Sequence, residues 1–449
     1  METRLEERTV LRQLCDIAAP ITIQFLVMAA VGIGDTAMLG FVSQDALAAV
    51  SLANQVIFVL NLFFGAVASG LAVLAAQYWG NGDKASLYWT FCLSVRNALI
   101  ISGIFLLCSE MIPELLVGIF TDEPALIRIG GEYLRIAGMS CLFTGISQCC
   151  HSVLKSTGRT KQSAVIGVFS LVLDLVLNAV FIFGLLGFPA MGVRGAAWTT
   201  VISRLVEMVL IAWKLPFLPQ WEDILYSSAR ISRTFWRYTA PILINCLVWG
   251  LGTASYAGII GHLGGDAAAA NAITAVVREL AECVCRGLSL GGGILLGNLL
   301  GAGELEQAKQ YGGKLCKYSI ICGFVCMGIV LVAVPLLSGF LRLTDTAQMY
   351  LVGMLTISAL YMLGRSVNTV VVTGIFHAGG DTVFDAVSVA LSMWLFVIPF
   401  AAVTAFWLNW PVLAVYLVLC LDEVVKLPWV YRHYKKYKWI HNITRRNAQ

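Results

Sequence analysis

Apolar runs long enough to cross a membrane recur from one end of this chain to the other, too many for a soluble fold with a single anchor. A helix needs about 20 such residues to cover the hydrocarbon core of a bilayer. The run at residues 20–40 is nearly uninterrupted and carries one carboxylate, Asp35. Among acyl chains a carboxylate finds no water, so it must face a cavity or a partner. Asp35 is either an interfacial residue or an ion-binding or proton-carrying group, and the rest of the chain favours the second. Of the 449 residues 59% are hydrophobic and 12% charged, whereas soluble domains hold about 25% charged residues. The class expected is all-α integral membrane.

Twelve spans are predicted, at about 13–39, 47–78, 89–109, 125–152, 162–186, 191–215, 234–262, 266–299, 313–340, 347–376, 382–407 and 411–431. The polar residues 1–12, followed by a run too long for a signal-peptide core, read as an uncleaved start. Lys and Arg cluster on alternate connections: Arg4, Arg8 and Arg12; Lys84; Lys155, Arg159 and Lys161; Lys214, Arg230, Arg233 and Arg237; Lys309, Lys314 and Lys317; and the tail with Arg432, Lys435, Lys436, Lys438, Arg445 and Arg446. The other connections are nearly bare, Arg342 with Asp345 being one. The positive-inside rule then places both termini and the central break at 216–233 in the cytoplasm, and that parity requires an even number of crossings. The 13 Cys are scattered through apolar runs. Cys149-Cys150-His151 and Cys283 with Cys285 lack zinc-site spacing, so no metal is expected there.

The chain repeats itself at an offset of 221 residues. Pro20 corresponds to Pro241, Gly40 to Gly261, Asp45 to Asp266, Gly80 to Gly301 and Gly82 to Gly303. Both copies begin on the same side, so the repeat is parallel, with a pseudo-twofold axis along the membrane normal. The expected organisation is a first six-helix lobe over 1–219, a linker over 220–233 and a second six-helix lobe over 234–449. Two such bundles rocking against each other are the physical basis of alternating access. A duplicated channel is the alternative, but no pore-filter or charged-ring pattern is present.

Gly34-Asp35-Thr36 with Gly40, Gln77 with Gly80, Gly82 and Asp83, Gly297 with Gly301 and Gly303, and Phe181 to Gly184 followed by Gly192 to Thr200 form an ordered set. In these the chain resembles the multidrug and toxic compound extrusion (MATE) transporters over nearly its whole length. The resemblance implies two six-helix lobes around a central cavity. It further implies export of organic, often cationic compounds in exchange for Na+ or H+, with no other cofactor. It assigns cation or proton coupling to Asp35 and matches Thr200 to a threonine of the same cluster. Related transporters carry Asn first and Asp second on the fifth span; here Asp174 precedes Asn178. Which of the two would bind the cation is therefore open, and Na+ at Asp35, Asp174 and Asn178 is the one metal site considered.

The residues support such a cluster on their own account. A carboxylate deprived of water holds its proton more firmly and can exchange it near neutrality; with further oxygen ligands it can hold Na+. Asp174 and Asn178 stand four apart and share a helix face; the plain alternative is a polar contact between helices. For Thr200 the alternative is a hydroxyl bonded to its own helix backbone. Arg278, Glu279, Glu282 and Arg286 lie in the middle of the eighth run, where each charge costs about 2.5–3.5 kcal/mol on insertion scales. Arg278, Glu282 and Arg286 share a face at spacings of four. They are expected to line a substrate cavity with Glu279, Tyr361 and Arg365, one basic group pairing with Asp35 in one state; a self-neutralised ladder is the alternative. Gly80, Gly82, Gly301 and Gly303 are expected as helix C-caps.

The expected function is a secondary antiporter for small organic substrates, a monomer in the plasma membrane of a prokaryote that binds no nucleic acid. A lipid-linked glycan flippase is the second reading, disfavoured by the lack of a dense arginine cluster in the first half. No metalloprotease motif or nucleophile elbow is present, so an enzyme is not expected.

Overall fold

The computed structural model describes residues 2–215, 217, 219–225, 228–340 and 343–444, with side chains from Leu11 onward except that of Phe340. Pro216, Tyr226 and Ser227 of the central break, Arg342, Arg445 and Arg446 lie outside the described residues, as do the side chains of Arg4 and Arg8. Among the described residues every regular element is helical. In chain order these are α1 (Glu2–Val42), α2 (Gln44–Gly80), α3 (Lys84–Met111), α4 (Pro113–Gly118), α5 (Pro124–Gly138), α6 (Ser140–Ser156), α7 (Thr160–Phe183), α8 (Gly192–Lys214) and α9 (Trp221–Leu225). There follow α10 (Ala229–His262), α11 (Gly265–Ala302), α12 (Leu305–Phe340), α13 (Asp345–Asn368), α14 (Thr382–Val389), α15 (Ile398–Ala402), α16 (Val412–Leu419) and α17 (Leu421–Lys435). Wider π-helical turns continue α13 over Thr369–Phe376, join α14 to α15 over Ala390–Val397 and follow α15 over Val403–Trp407.

Local chemistry fixes many of the ends. Asp83 caps α3 by accepting the Ser86 N–H at 2.9 Å, and Thr344 caps α13 through the Ala347 N–H at 3.1 Å. Such caps satisfy backbone donors that the first helical turn leaves over. Pro113 and Pro124 open α4 and α5, where a missing N–H costs nothing. α7 and α11 stop at left-handed Gly184 (φ 70°) and Gly303 (φ 83°).

Among the described residues, ten stretches are continuously helical, long and apolar enough to cross a membrane. Two expected spans are instead interrupted. The one at 125–152 is divided between α5 and α6 at Met139, and the one at 411–431 between α16 and α17 at Cys420. Both residues keep right-handed helical backbone angles, so the breaks are local and the apolar runs continue through them.

The chain forms two compact units. One comprises residues 23–75 and 83–239, the other residues 1–22, 76–82 and 240–449. The division departs from boundaries at 219 and 234, because the start of α1 and the end of α2 pack with the second half of the chain. A Cβ added to Gly291 would lie 3.0 Å from Ala18, and one on Gly287 would overlap the Thr22 side chain. In the first unit the start of α10 packs on α2 in the same way, with Thr239 against Gly70.

These contacts obey the repeat. Gly291 is Gly70 moved on by the offset, and Ala18 is Thr239 moved back by it. The end of α2 crosses α11 under the same exchange. A Cβ on Gly80 would strike the Asn298 carbonyl; one on Gly301 would strike the Gln77 carbonyl; and Gly297 faces Ala76, its own counterpart. Gly82 (φ 74°) and Gly303 (φ 83°) are the left-handed caps that the sequence led us to expect. Gly80 and Gly301 are not caps: they are the places where two backbones meet with no room for a side chain. Similarly, Gly291, Gly292 and Gly293 pack against Ala18, Leu315 and Gly374, the close approach that small residues allow between membrane helices.

Because the crossing is built from exchanged pairs, Gly80→Ala and Gly301→Ala should destabilise alike, by about 1–3 kcal/mol each as overpacking typically does. Gly103→Ala, where no atom stands within 4 Å of the added Cβ, should be neutral or slightly stabilising. Thermal unfolding in detergent reads the three; an effect at Gly80 without one at Gly301 would contradict the exchange.

Candidate functional site

Two polar assemblies stand inside the apolar helices, one in each unit. In the first unit α7 offers Asp174 and Asn178 from one face, as their spacing requires. α8 offers Thr199 and Ser203, again four apart, and α1 brings Asp35. The Asn178 amide nitrogen donates to Asp35 Oδ1 at 2.8 Å and lies 3.5 Å from Asp174 Oδ2. Its carbonyl oxygen takes the Thr199 hydroxyl at 2.5 Å. Ser203 donates to Asp174 Oδ1 at 2.7 Å. Asp174, Asn178, Thr199 and Ser203 are buried, and Asp35 is half-buried. Buried polar groups need this kind of mutual satisfaction.

The sequence named Asp35, Asp174, Asn178 and Thr200, and the first three come together. Thr200 is a turn aside: its hydroxyl donates to Ala196 O in its own helix at 3.1 Å, with the Tyr133 phenol beside it. Thr199 makes the contact with Asn178 instead, while its hydroxyl shares Ala196 O at 2.8 Å. One residue along a helix is a rotation of about 100°, which moves a side chain to another face. Thr199 and Ser203 were missed, although their spacing repeats that of Asp174 and Asn178.

A second set adjoins the first through Arg204. Its guanidinium pairs with Glu207 at 2.8 Å, Glu207 meets His151 Nε2 at 3.0 Å, and His151 Nδ1 meets the Ser163 hydroxyl at 2.7 Å. His151 is therefore a satisfied core histidine.

In the second unit Glu282 is the hub. Arg286 reaches it at 3.0 Å, Arg365 at 3.3 Å and Arg278 at 3.9 Å. Glu423 takes Arg365 at 2.7 Å and the Asn368 amide at 2.7 Å, with Lys426 at 3.8 Å. The i, i+4, i+8 ladder on α11 is thus present, extended across to α13 and α17. Arg278 also lies 5.5 Å from the centre of the Tyr361 ring, within reach of a cation–π attraction.

A cavity of about 210 Å³ opens beside this ladder, lined by Arg278, Glu282, Tyr361 and Arg365 together with Trp249, Tyr256, Tyr416 and Asp422. Arg286 and Glu279 are not among its lining residues. Arg286 is engaged by Glu282, and Glu279 falls on an exposed side of α11, one residue round from the ladder. All three arginines have Glu282 as partner in this conformation. Asp385, which the sequence reading passed over, joins Asn245 at 2.8 Å and His377 at 2.9 Å; this buried set holds α10, α14 and the end of the α13 segment together.

The MatE family model matches residues 20–180 and 241–403, two stretches that begin one repeat offset apart. The uncharacterized transporter YisQ of Bacillus subtilis is 23% identical, with 94% of this chain and 93% of that protein covered. The probable multidrug resistance protein YoeA of the same organism is 24% identical, with 87% and 86% covered. Among solved structures, the bent form of the Vibrio cholerae MATE transporter VcmN superposes with a TM-score of 0.85 at 17% identity, covering 96% of this chain and 97% of that one. A transporter of the MOP superfamily from Pyrococcus furiosus gives 0.86 at 15% identity, with 95% of each chain covered. The all-helical duplicated architecture, the membrane-length helices and these matches lead to one conclusion: the chain belongs to the MatE family of multidrug and toxic compound extrusion transporters, multi-pass proteins of the membrane.

Proposed function

We propose that this protein is a secondary antiporter that exports small organic compounds in exchange for protons, with Asp35 as the coupling carboxylate. The observation that carries the reading is the hydrogen-bonded set Asp35, Asn178, Asp174 on helices of membrane length. Relatives named as multidrug resistance proteins, YoeA and NorM of Thermotoga maritima among them, support export of drug-like compounds over the flippase alternative. The protein works as a monomer in the plasma membrane of a prokaryote, with both termini cytoplasmic, a placement that the Lys and Arg distribution supports.

The orientation of Asn178 supports the proton as coupling ion. It turns its N–H toward both carboxylates, while its oxygen is taken by Thr199. A Na+ site that used this oxygen together with the carboxylates would need the amide turned, giving up the Thr199 bond. A proton needs no such rearrangement. When Asp35 takes a proton, the amide loses an anionic acceptor and the bond weakens, since charge-assisted hydrogen bonds are roughly twice as strong as neutral ones. The tie between α1 and α7 then loosens. Proton binding is in this way converted into freedom for α1, which alternating access requires.

In proteoliposomes an imposed pH gradient should drive efflux of a fluorescent drug, and a Na+ gradient alone should not; the opposite pattern would assign the coupling to Na+. Asp35→Asn should reduce efflux to the level of empty vesicles while the protein is still produced and folded. Efflux equal to wild type in that variant would remove Asp35 from the mechanism. Thr199→Ala, which frees the Asn178 oxygen, should cost about tenfold in rate, the value of one buried hydrogen bond. Thr200→Ala should cost much less.

A further inference from the structure

The charged side chains that line the cavity of the second unit are Arg278 and Arg365 with Glu282 and Asp422. Glu282 is shared by three arginines, and Arg278 holds it by the longest contact, 3.9 Å. The Arg278 side chain is 29% exposed and lines the cavity beside Tyr361.

Two lining donors point the same way. Arg365 Nε and the Tyr256 hydroxyl are buried and have no hydrogen-bond partner. A buried donor left unpaired costs about 1–3 kcal/mol, so a site that keeps two of them is arranged for an acceptor from outside. Tyr256 stands at the repeat position of Asp35: where the first half carries an acid, the second carries a neutral hydroxyl. Asp422, the remaining lining carboxylate, accepts the Glu423 N–H at 2.8 Å.

The walls supply the rest of the specificity. Trp249, Tyr256, Tyr361 and Tyr416 give the lining four aromatic side chains, and a guanidinium beside aromatic faces suits a flat ring that carries an acid. At about 210 Å³ the cavity is smaller than the roughly 300–1,000 Å³ of drug-sized sites. We propose that this cavity is a binding subsite for small aromatic carboxylates, with Arg278, Arg365 and Tyr256 holding the acid group. The proposal rests on the export reading for its physiological meaning, but not for its test.

Isothermal titration calorimetry on the purified full-length protein in detergent, with naphthoate and naphthylmethylammonium as probes, reads binding without transport. Naphthoate should bind about tenfold or more tightly than its charge-reversed counterpart, as expected where the donors are left unpaired by the wrong ligand. Arg278→Gln should weaken naphthoate binding by about tenfold. Tyr256→Phe, which keeps the ring and removes only the unpaired hydroxyl, should weaken it about three- to tenfold. Arg194→Gln, at an exposed pair with Glu132 in the other unit, should leave it unchanged. Tighter binding of the ammonium, no binding of naphthoate, or unaltered affinity in a folded Arg278→Gln or Tyr256→Phe protein would overturn the assignment. A protein that exports drugs in vesicles yet ignores naphthoate would sink this inference and leave the export reading standing.

Discussion

One amide governs the first unit. Asn178 presents its N–H to Asp35 and to Asp174, and so allows two carboxylates to share a largely buried site. Carboxylates brought together without a donor between them would repel, and an unpaired buried charge costs several kcal/mol. Thr199 fixes the amide's direction and Ser203 supports Asp174 from the other side. α1, α7 and α8 are joined by this set, and in the proposed function the charge on Asp35 controls where α1 can go.

The two halves of the duplicated chain share a backbone plan and differ in chemistry. Asp35 corresponds under the repeat to Tyr256, and Arg278, Glu282 and Arg365 correspond to Ile57, Asn61 and Thr144. What is kept is the geometry of close approach: Gly80 with Gly301, Gly70 with Gly291, Gly82 with Gly303. Glycine at a helix crossing is constrained by sterics, whereas a polar side chain in a cavity is free to change so long as its own partners change with it. Duplication of this kind leaves one half to carry an acid network and the other an arginine network.

Much of this was legible in the sequence, and the limits were physical. Hydropathy located the membrane-length runs because it measures composition; it did not see the breaks at Met139 and Cys420, where composition is unchanged. Spacing of four placed Asp174 with Asn178 and Arg278 with Glu282 and Arg286, since neighbours on one helix are set by the helical period. It did not choose between Thr199 and Thr200, because adjacent residues differ by rotation, which only the packing of α8 on α7 settles. Partners on other helices were out of reach: Ser203 for Asp174, Glu207 for His151, Glu423 and Glu282 for Arg365. The exchange of Gly80 and Gly301 was visible as a repeat but read as capping, since a cap and a crossing both ask for glycine.

The central claim is that Asp35 exchanges a proton while bound to Asn178. Infrared difference spectroscopy between acidic and neutral pH, on the purified protein with and without Asp35→Asn, tests it most directly. The account predicts a carboxylic C=O band that vanishes in Asp35→Asn and shifts in frequency in Asn178→Ala. A spectrum without that band, or with one indifferent to Asn178, would contradict it.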